Sequence, residues 1–300
     1  MKHLFTACQL CPRDCKVDRT SKKVGYCGQT DQIKAARASL HLWEEPCISG
    51  ESGSGTVFFS GCPLRCVYCQ NHDIALGKTG AVISISRLAE IFLELQQKGA
   101  LNINLVTPTH FVPLIAEAIK EAKQAGLHLP IVYNTSGYEK VENLKLLDGL
   151  VDIYLPDCKY FSNYLAMRYS NAPDYFQVTS RALAEMYRQV KDPVFDADTG
   201  LMKKGMIVRH LVLPGSTMDS KKVIQHLYET YGNHIYISIM NQYTPTRHFE
   251  QFPELNRTIT QEEYDQVVDF AISIGVENGF IQEGETCLES FIPPFDLEGI

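Results

Sequence analysis

The sequence predicts an α/β fold built on a parallel β-sheet. From about residue 55 onward, short β-rich runs alternate with segments of helical periodicity, and this order is typical of parallel sheets with helical crossovers. The β-rich runs are continuously apolar rather than alternating in polarity, as expected for strands that are covered on both faces. The helical segments carry their own start and stop residues.

Six predicted strands carry the repeat. They are TVFFSG (56–61), INLVTP (103–108), IVYNTS (131–136), DIYLPD (152–157), MIVRHLVL (206–213) and IYISIMN (235–241). Six β-α units are compatible with a doubly wound open sheet or with an incomplete barrel, and the pattern does not choose between them. Near the end of the chain, a β-like FIQ predicts one further strand.

Helix boundaries support the same order. Ser86 begins RLAEIFLELQQKG, whose apolar residues share one face, and Gly99 occupies the position of a C-terminal cap. A second helix is predicted within residues 108–126. Later in the chain, Thr260 and Glu263 form a capping box at the start of QEEYDQVVDFAISIG.

Polar residues stand at the carboxyl ends of the predicted strands. They are Thr107, Asn134 with Ser136, Asp157, Arg209 and Asn241. Polar residues mark the ends of many strands because loops are polar. In barrels, however, reactive groups gather at this end of the strands, and the repetition favours a shared site at the mouth.

Composition narrows the class of protein. The 300 residues are 45% hydrophobic, with a net charge of −7. Without a basic cluster, nucleic acid is not an expected partner. The start lacks the apolar run of a signal peptide, and no stretch of about eighteen apolar residues suggests a membrane span. We therefore expect a cytoplasmic protein, whose ten cysteines indicate metal ligands or chemistry rather than disulfides.

Residues 1–50 are predicted to form a small cysteine-rich metal-binding module. Four cysteines lie within twenty residues in the spacing C-x2-C-x3-C-x11-C: Cys8, Cys11, Cys15 and Cys27. This set of four thiols suits tetrahedral zinc or a second iron–sulfur cluster. The site is expected to be either a structural metal site or an electron-relay cluster. Unligated thiols are the alternative. Cys47, Cys158 and Cys287 are interpreted as isolated thiols.

The segment GESGSG (50–55) is predicted to be the hinge to the main domain, residues 51–300. Just before it, Trp43, Glu44 and Glu45 are interpreted either as packing the module against the barrel or as a solvated acidic pair.

A second cysteine group follows the first predicted strand directly. Cys62, Cys66 and Cys69 form C-x3-C-x2-C in the loop after TVFFSG. A closed zinc site requires four ligands, whereas three thiolates that hold a four-iron cluster leave one iron open to a substrate or cofactor. The alternatives are ordinary buried thiols, or a zinc site completed by His72 or Cys158.

The residues CPLRCVYCQN resemble the cluster-binding loop of radical S-adenosylmethionine (SAM) enzymes, and above all that of the pyruvate formate-lyase activating-enzyme branch. The segments YNTSGY (133–138), DCK (157–159) and RHLVLPG (209–215) are similar to that branch's third, fourth and fifth strands. The resemblance covers roughly residues 55–245.

This resemblance implies a partial (β/α)6 TIM-like barrel with a [4Fe-4S] cluster on Cys62, Cys66 and Cys69. SAM would chelate the fourth iron and be cleaved reductively to a 5′-deoxyadenosyl radical. The radical would abstract hydrogen from a substrate, which in activating enzymes is a glycine of a partner glycyl-radical enzyme. A flavodoxin- or ferredoxin-type reductant is the implied electron donor.

The resemblance also implies residue roles. Tyr68 would pack near the cofactor adenine, unless it belongs to the protein core. Asp157 and Lys159 match a D-x-K that lies beside the cofactor, unless they form an ordinary surface ion pair. Arg209 matches the arginine of the fifth strand that binds the cofactor carboxylate.

One segment departs from the family pattern. Where the family usually has Gly-Gly-Glu, this chain has TPTH (107–110), so Thr107 and Thr109 are expected to accept the hydrogen bonds of the cofactor's amino group. Asn134 and Ser136 are expected to complete the cofactor site. The departure suggests a side branch of iron–sulfur relatives of the activating enzymes, and it motivates an alternative: an electron-transfer or interaction protein with a decayed SAM site.

Overall fold

The computed structural model describes residues 2–282 and 293–300. Its strands are β1 Ile33–His41, β2 Ser54–Phe59, β3 Ala81–Ile83, β4 Ile103–Val106, β5 Ile131–Thr135, β6 Ile153–Pro156, β7 Val194–Phe195, β8 Met202–Leu211, β9 Tyr236–Met240 and β10 Gly279–Ile281. Its α-helices are α1 His3–Thr6, α2 Pro46–Ser49, α3 His72–Ala75, α4 Ile85–Gln97, α5 Val112–Gln124, α6 Val141–Leu144, α7 Asn163–Ser170, α8 Tyr175–Val190, α9 Thr217–Tyr231 and α10 Gln261–Ser273.

A single sheet organises the molecule, with strand order β10-β9-β8-β6-β5-β4-β2-β1-β3, and β7 pairs with β8. The pairs from β2 to β10 along this path are parallel, whereas β1 lies antiparallel to β2 and β3. The six predicted strands are confirmed as β2, β4, β5, β6, β8 and β9, and the FIQ strand as β10. The parallel strands from β2 to β10 follow one another in chain order without the reversal of a doubly wound sheet, which favours the partial barrel.

Helices cover one face of the parallel strands. The largest apolar cluster joins α4, α5, α8, α9 and α10 to residues of alternate positions on the strands. The first predicted helix begins two residues early, because Ser84 rather than Ser86 caps it by accepting a hydrogen bond from the amide of Arg87. The capping box of Thr260 and Glu263 is confirmed at the start of α10.

A short plug fills the amino-terminal side of the sheet's other face. Since β1 runs antiparallel to β2, the chain between them returns at the amino ends of the parallel strands. There α2 packs Cys47 and Ile48 against Val132, Ile153 and Ile207. These apolar contacts exclude water from the interior of the open barrel.

The structure places the boundary of the cysteine-rich segment earlier than predicted. Residues 33–41 form a strand of the main sheet, and Ser54 and Gly55, within the expected hinge, already belong to β2. The segment outside the sheet is therefore 2–32 rather than 1–50. The run IKAARASLH mixes small, polar and apolar residues without the two-residue period of a half-buried strand, so the sequence did not predict β1.

The C-terminal residues return to the first strand, where the amide of Ala38 donates a hydrogen bond to the carbonyl of Glu298. Cys287 lies outside the described residues. None of the helices within the described residues combines the length and the apolar character needed to cross a bilayer.

Candidate functional site

The loop after β2 brings Cys62, Cys66 and Cys69 to the carboxyl end of the parallel sheet. Cys66 is only 8% exposed, and Cys62 and Cys69 are partly buried. The amides of Leu64 and Arg65 donate hydrogen bonds to Sγ of Cys62 at 3.3 and 3.5 Å. Donors directed at sulfur favour a thiolate, the form that binds metal.

Other parts of the chain hold this loop. The amide of Val67 donates a hydrogen bond to the carbonyl of Tyr169 near the end of α7. Arg247 donates to the carbonyl of Val67 at 2.7 Å. The Ser170 hydroxyl, also on α7, donates to Sγ of Cys66 at 3.1 Å.

A lysine ion pair stands beside the three sulfurs. Nζ of Lys159 lies 2.7 Å from Oδ2 of Asp157, and both side chains are largely buried. Burial alone would lower the pKa of Lys159, but Asp157 and the sulfurs of Cys66 and Cys69 raise it above its usual range. The predicted D-x-K pair is thus not a surface ion pair, because it adds a buried positive charge next to the thiols.

The donor set fits a cluster better than a single ion. Burial raises the pKa of Cys62 to about 11 and of Cys69 to about 12, so both thiols are protonated unless a metal takes the proton's place. Within the described parts of the chain, no three His, Cys, Asp or Glu side chains converge on one metal ion. A closed zinc site takes four ligands and this loop supplies three, whereas an iron–sulfur cluster spreads its ligands over several irons.

Tyr68 lies in a tyrosine-rich core behind the loop. It is 7% exposed, and its ring contacts those of Tyr169 and Tyr243 edge-on. Its hydroxyl is 2.7 Å from that of Tyr160, which in turn lies 2.8 Å from Oγ of Ser170. The geometry therefore shows Tyr68 in the core-packing alternative, linked through hydrogen bonds to the Cys66 sulfur.

The TPTH segment lies at the end of β4, where Thr107 has a φ of 58°. A β-branched residue rarely adopts this left-handed conformation, so glycine would be favoured here on steric grounds. The amide of Thr107 donates to the carbonyl of Asn134. Thr107 is half-buried at the mouth of the sheet. A strained backbone conformation is typical of functional sites.

Thr109 points elsewhere. Its hydroxyl donates to Oε1 of Glu139 at 2.6 Å, and Thr135 and Tyr133 donate to the same oxygen at 2.6 and 3.1 Å. Glu139 is 1% exposed, and burial raises the pKa of its carboxyl to about 7. The expected role of Thr109 in holding the cofactor's amino group is not what this geometry shows, since its hydroxyl already has a carboxyl partner.

The end of β5 retains open polar groups. Asn134 is half-buried and, two residues from Val132, shares the interior face of the strand. The hydroxyl of Ser136 is buried and has no hydrogen-bond partner. An orphaned buried hydroxyl at a strand end is suited to a ligand.

Arg209 differs from its expected state. Its guanidinium donates to Oε1 of Glu45 at 2.8 Å and to Oε2 of the same residue at 2.5 Å, and it also bonds to Glu44. Asn104 donates to Glu44 at 2.8 Å. Burial alone would raise the pKa of Glu45, but Arg209 holds it below its usual range. The structure thus gives Arg209 two carboxylate partners of its own, and Glu44 and Glu45 are interior residues rather than a solvated pair.

The four N-terminal cysteines are neighbours. Cys8, Cys11 and Cys27 are buried and Cys15 is half-buried. Arg19 donates to Sγ of Cys8 at 3.5 Å, and the amide of Tyr26 donates to Sγ of Cys15 at 3.2 Å. Burial raises the pKa of Cys11 to about 12, and the other three sulfurs add to this increase. The backbone of Cys8 bonds Lys16 and Val17, next to Cys15, and a Cβ on Gly25, two residues before Cys27, would lie 2.9 Å from Sγ of Cys15.

Two site residues, Glu139 and Ser170, escaped the sequence interpretation, and a third, Glu45, was considered but not as a partner of Arg209. Glu139 follows YNTSGY directly, but nothing in the pattern pairs it with a threonine thirty residues earlier. Glu45 precedes Pro46 at the first position of α2, a helix start that the sequence interpretation did not predict. Ser170 ends α7, and only the fold brings it to Cys66.

Known proteins are similar to this chain over the region that contains the three-cysteine loop. The model of the radical SAM superfamily matches residues 56–227, which include the three-cysteine loop. An uncharacterised protein of Methanocaldococcus jannaschii is 29% identical over 284 residues, 90% of this chain and 75% of that protein. The pyruvate formate-lyase-activating enzyme of Staphylococcus epidermidis is 22% identical over 181 residues, 56% of this chain and 65% of that enzyme.

Among solved structures, Streptococcus suis SuiB bound to S-adenosylmethionine matches with a TM-score of 0.50 and 11% identity. The alignment covers 76% of this chain and 50% of SuiB, so this chain spans about half the length of that protein. At this identity the match concerns the fold, and it agrees with the open parallel barrel. The family match over more than half of the sequence establishes that the chain belongs to the radical SAM superfamily.

Proposed function

We propose that this protein is an enzyme that cleaves SAM reductively and abstracts hydrogen from a substrate, with a [4Fe-4S] cluster on Cys62, Cys66 and Cys69. The observation that carries the proposal is the placement of these thiols at the carboxyl end of β2, with the Lys159 ammonium beside them. When bound, the cluster supplies the electron that cleaves SAM, a chemistry that belongs to the cofactor.

The chain's own residues orient and shield this chemistry. The three thiolates hold the cluster, and Lys159 offsets their negative charge while Asp157 keeps the ammonium in position. The plug of α2 closes the amino-terminal side of the interior. Exclusion of water protects a reactive radical from side reactions.

The cofactor itself is assigned to the open polar groups at the strand ends. Ser136 has an unpartnered hydroxyl, Asn134 faces the interior, and Thr107 is held in a strained conformation at the mouth. These residues, with Asp157, replace the carboxylate that Gly-Gly-Glu would supply. Tyr68 and Thr109 support the site from behind, because their hydroxyls are used within the protein.

The test is anaerobic reconstitution with iron and sulfide, followed by reduction in the presence of SAM. We expect about four iron atoms at this site and release of 5′-deoxyadenosine. Cys66→Ala should abolish the product, whereas Ser180→Ala, at a hydroxyl that bonds the carbonyl of Phe176 within α8, should retain it. Product formation by the Cys66 variant would refute the assignment.

For the substrate we propose a glycine of a partner protein, that is, a glycyl-radical enzyme. The support is that relatives of this chain are named activating enzymes of another enzyme, pyruvate formate-lyase. A flavodoxin- or ferredoxin-type protein would deliver the electron. Incubation of the reduced, SAM-loaded protein with a candidate partner should give the electron paramagnetic resonance signal of a glycyl radical, and its absence for every encoded partner would exclude this substrate class.

A second candidate function is an iron–sulfur electron-transfer or interaction protein that no longer binds SAM. It is favoured by one observation: Arg209 is bound by Glu44 and Glu45 and would have to leave one of them to bind a cofactor carboxylate. Isothermal titration of the cluster-loaded protein with SAM separates the two. Binding supports the enzyme, and the absence of binding supports the alternative.

A further inference from the structure

The cysteine-rich segment 2–32 is joined to the loop of the barrel cysteines through Arg13, which lies between Cys11 and Cys15. Its Nε donates to the carbonyl of Pro63 at 2.7 Å. The remaining donors reach the carbonyls of Leu64 at 3.3 Å and Ser170 at 2.9 Å, and that of Asn171. The Arg13 guanidinium therefore binds both the backbone between Cys62 and Cys66 and the C-terminal end of α7, where Ser170 donates a hydrogen bond to Cys66.

A second contact joins Cys27 to the residue before Cys62. A Cβ placed on Gly61 would lie 2.5 Å from the carbonyl oxygen of Cys27, and Gly61 has a φ of 86°. Only glycine permits this approach of the two backbones. The guanidinium of Arg65 lies over the ring of Tyr26, 5.1 Å from its centroid, so the loop touches the segment both at Gly61 and at Arg65.

A third contact runs through Arg19, which is 1% exposed. It donates to Sγ of Cys8 and, at 2.9 Å, to the carbonyl of His110 in the TPTH segment. The ring of His110 in turn bonds the carbonyl of Ser60 at 2.7 Å. This path ends two residues before Cys62.

Burial, together with Arg19, lowers the pKa of His110 to about 3, so the ring is neutral and donates through the nitrogen facing Ser60.

The segment has few apolar groups to order it. Its cluster contains Phe5, Cys8 and Leu10, with Leu4 and Val17 of the segment and Leu114 of α5 packed against them. The cysteines in the described residues are free thiols. A segment this short usually needs a metal or cross-links to hold its form. Its four neighbouring thiols supply metal ligands, and two of them, Cys8 and Cys15, accept a hydrogen bond at sulfur.

We propose that Cys8, Cys11, Cys15 and Cys27 bind a metal centre of tetrathiolate type, and that this centre holds the Cys62–Cys69 loop in the conformation that takes up the barrel cluster. The second half rests on the proposed function, since it requires a cluster on that loop. All three contacts begin at or beside an N-terminal cysteine. A metal that fixes the four sulfurs therefore fixes Arg13, Arg19 and the backbone at Cys27 against the barrel.

The site is tested in a protein that cannot hold the barrel cluster, with Cys62, Cys66 and Cys69 all replaced by alanine. This variant is given either Zn²⁺ alone or iron with sulfide, and bound metal is counted by mass spectrometry. Iron uptake identifies a cluster, which spreads its ligands over several irons, and zinc uptake identifies a single ion that draws together sulfurs no three of which converge on one point in the described residues. Either result supports the tetrathiolate centre. Failure to retain either metal, with native circular dichroism, would overturn it.

The coupling is read by amide hydrogen exchange in the same variant. We expect metal addition to slow exchange across residues 60–70 by at least about tenfold, a gain of roughly 1.4 kcal/mol in local stability. Bound metal with unchanged exchange would overturn the coupling. Because no SAM is present and no barrel cluster forms, this outcome is independent of whether the protein cleaves SAM.

A second measurement uses the intact barrel site. Replacing Cys11 and Cys27 by serine should reduce the iron taken up at Cys62, Cys66 and Cys69 well below about four atoms per chain. Arg13→Gln, which keeps every cysteine, should do the same to a smaller extent. Arg257→Gln, at an arginine whose ion pair with Glu263 is partly exposed, is the matched control for Arg13→Gln and should take up iron as wild type does. Full barrel iron in the serine variant would contradict the proposal.

Discussion

The hydroxyl of Ser170 donates a hydrogen bond to Sγ of Cys66 at 3.1 Å. Ser170 also lies within hydrogen-bond distance of Tyr160, so its oxygen is held in place by a second hydroxyl. Hydrogen bonds to the sulfurs of an iron–sulfur cluster stabilise its more negative, reduced form and raise the reduction potential. Ser170 is therefore a positioning residue for the proposed cluster.

We expect Ser170→Ala to make the reduction potential of the barrel cluster more negative. A lost hydrogen bond of about 1 kcal/mol corresponds to roughly 40 mV for a one-electron couple. The measurement is a redox titration followed by electron paramagnetic resonance. Ser180→Ala is the control, because Ser180 bonds the carbonyl of Phe176 within α8. Equal potentials in the two variants would show that Ser170 does not affect the cluster.

Arg209 should be important for stability. Removing it leaves Glu44 and Glu45 buried without their cation, and a broken buried pair costs about 3–5 kcal/mol. We expect Arg209→Leu to lower the free energy of unfolding, measured in urea, by this order. Arg257→Leu, which breaks the more exposed pair with Glu263, should cost less than about 1 kcal/mol. Similar losses in both variants would mean that the interior carboxylates find other partners or water.

Much of the fold follows from local patterns in the sequence. Continuous apolar runs mark β2, β4 and β5 because both faces of these strands are covered. The Thr260 capping box marks the start of α10 because its hydrogen bonds are local. The strand β1 escaped notice because its small residues are interspersed with polar ones, and its pairing with β2 depends on tertiary contacts.

In the candidate site, too, some residues are predictable from local sequence and others depend on tertiary contacts. Cys62, Cys66 and Cys69 were predicted because the spacing of their ligands is local in sequence. The partners of Arg209 were not, because Glu44 lies 165 residues away and approaches only when α2 plugs the barrel. Family resemblance assigned Arg209 by its position on a strand, but the charge that faces it depends on a segment outside the family motif.

Thr107 offers a test of the departure from Gly-Gly-Glu. Its left-handed backbone costs about 1 kcal/mol, which glycine would relieve. We expect Thr107→Gly to fold with equal or greater stability but to bind SAM roughly fivefold more weakly, because a hydrogen bond of about 1 kcal/mol is lost. Thr107→Asn, which tolerates this φ and keeps a polar group, should retain more affinity. Isothermal titration with unchanged affinity in the glycine variant would exclude Thr107 from the cofactor site.

Glu139 predicts a pH dependence of stability. Its folded-state pKa of about 7 lies above the unfolded value of about 4.3, so the folded protein holds a proton that the unfolded chain releases between these values. The stability of the wild type should therefore fall as pH rises from about 5 to about 7, by up to about 3 kcal/mol. Glu139→Gln keeps an acceptor for Thr109 and Thr135 but cannot titrate, so its stability should change less over this window. Urea unfolding of both proteins from pH 5 to pH 8 measures the difference, and parallel pH profiles would show that Glu139 is ionised throughout.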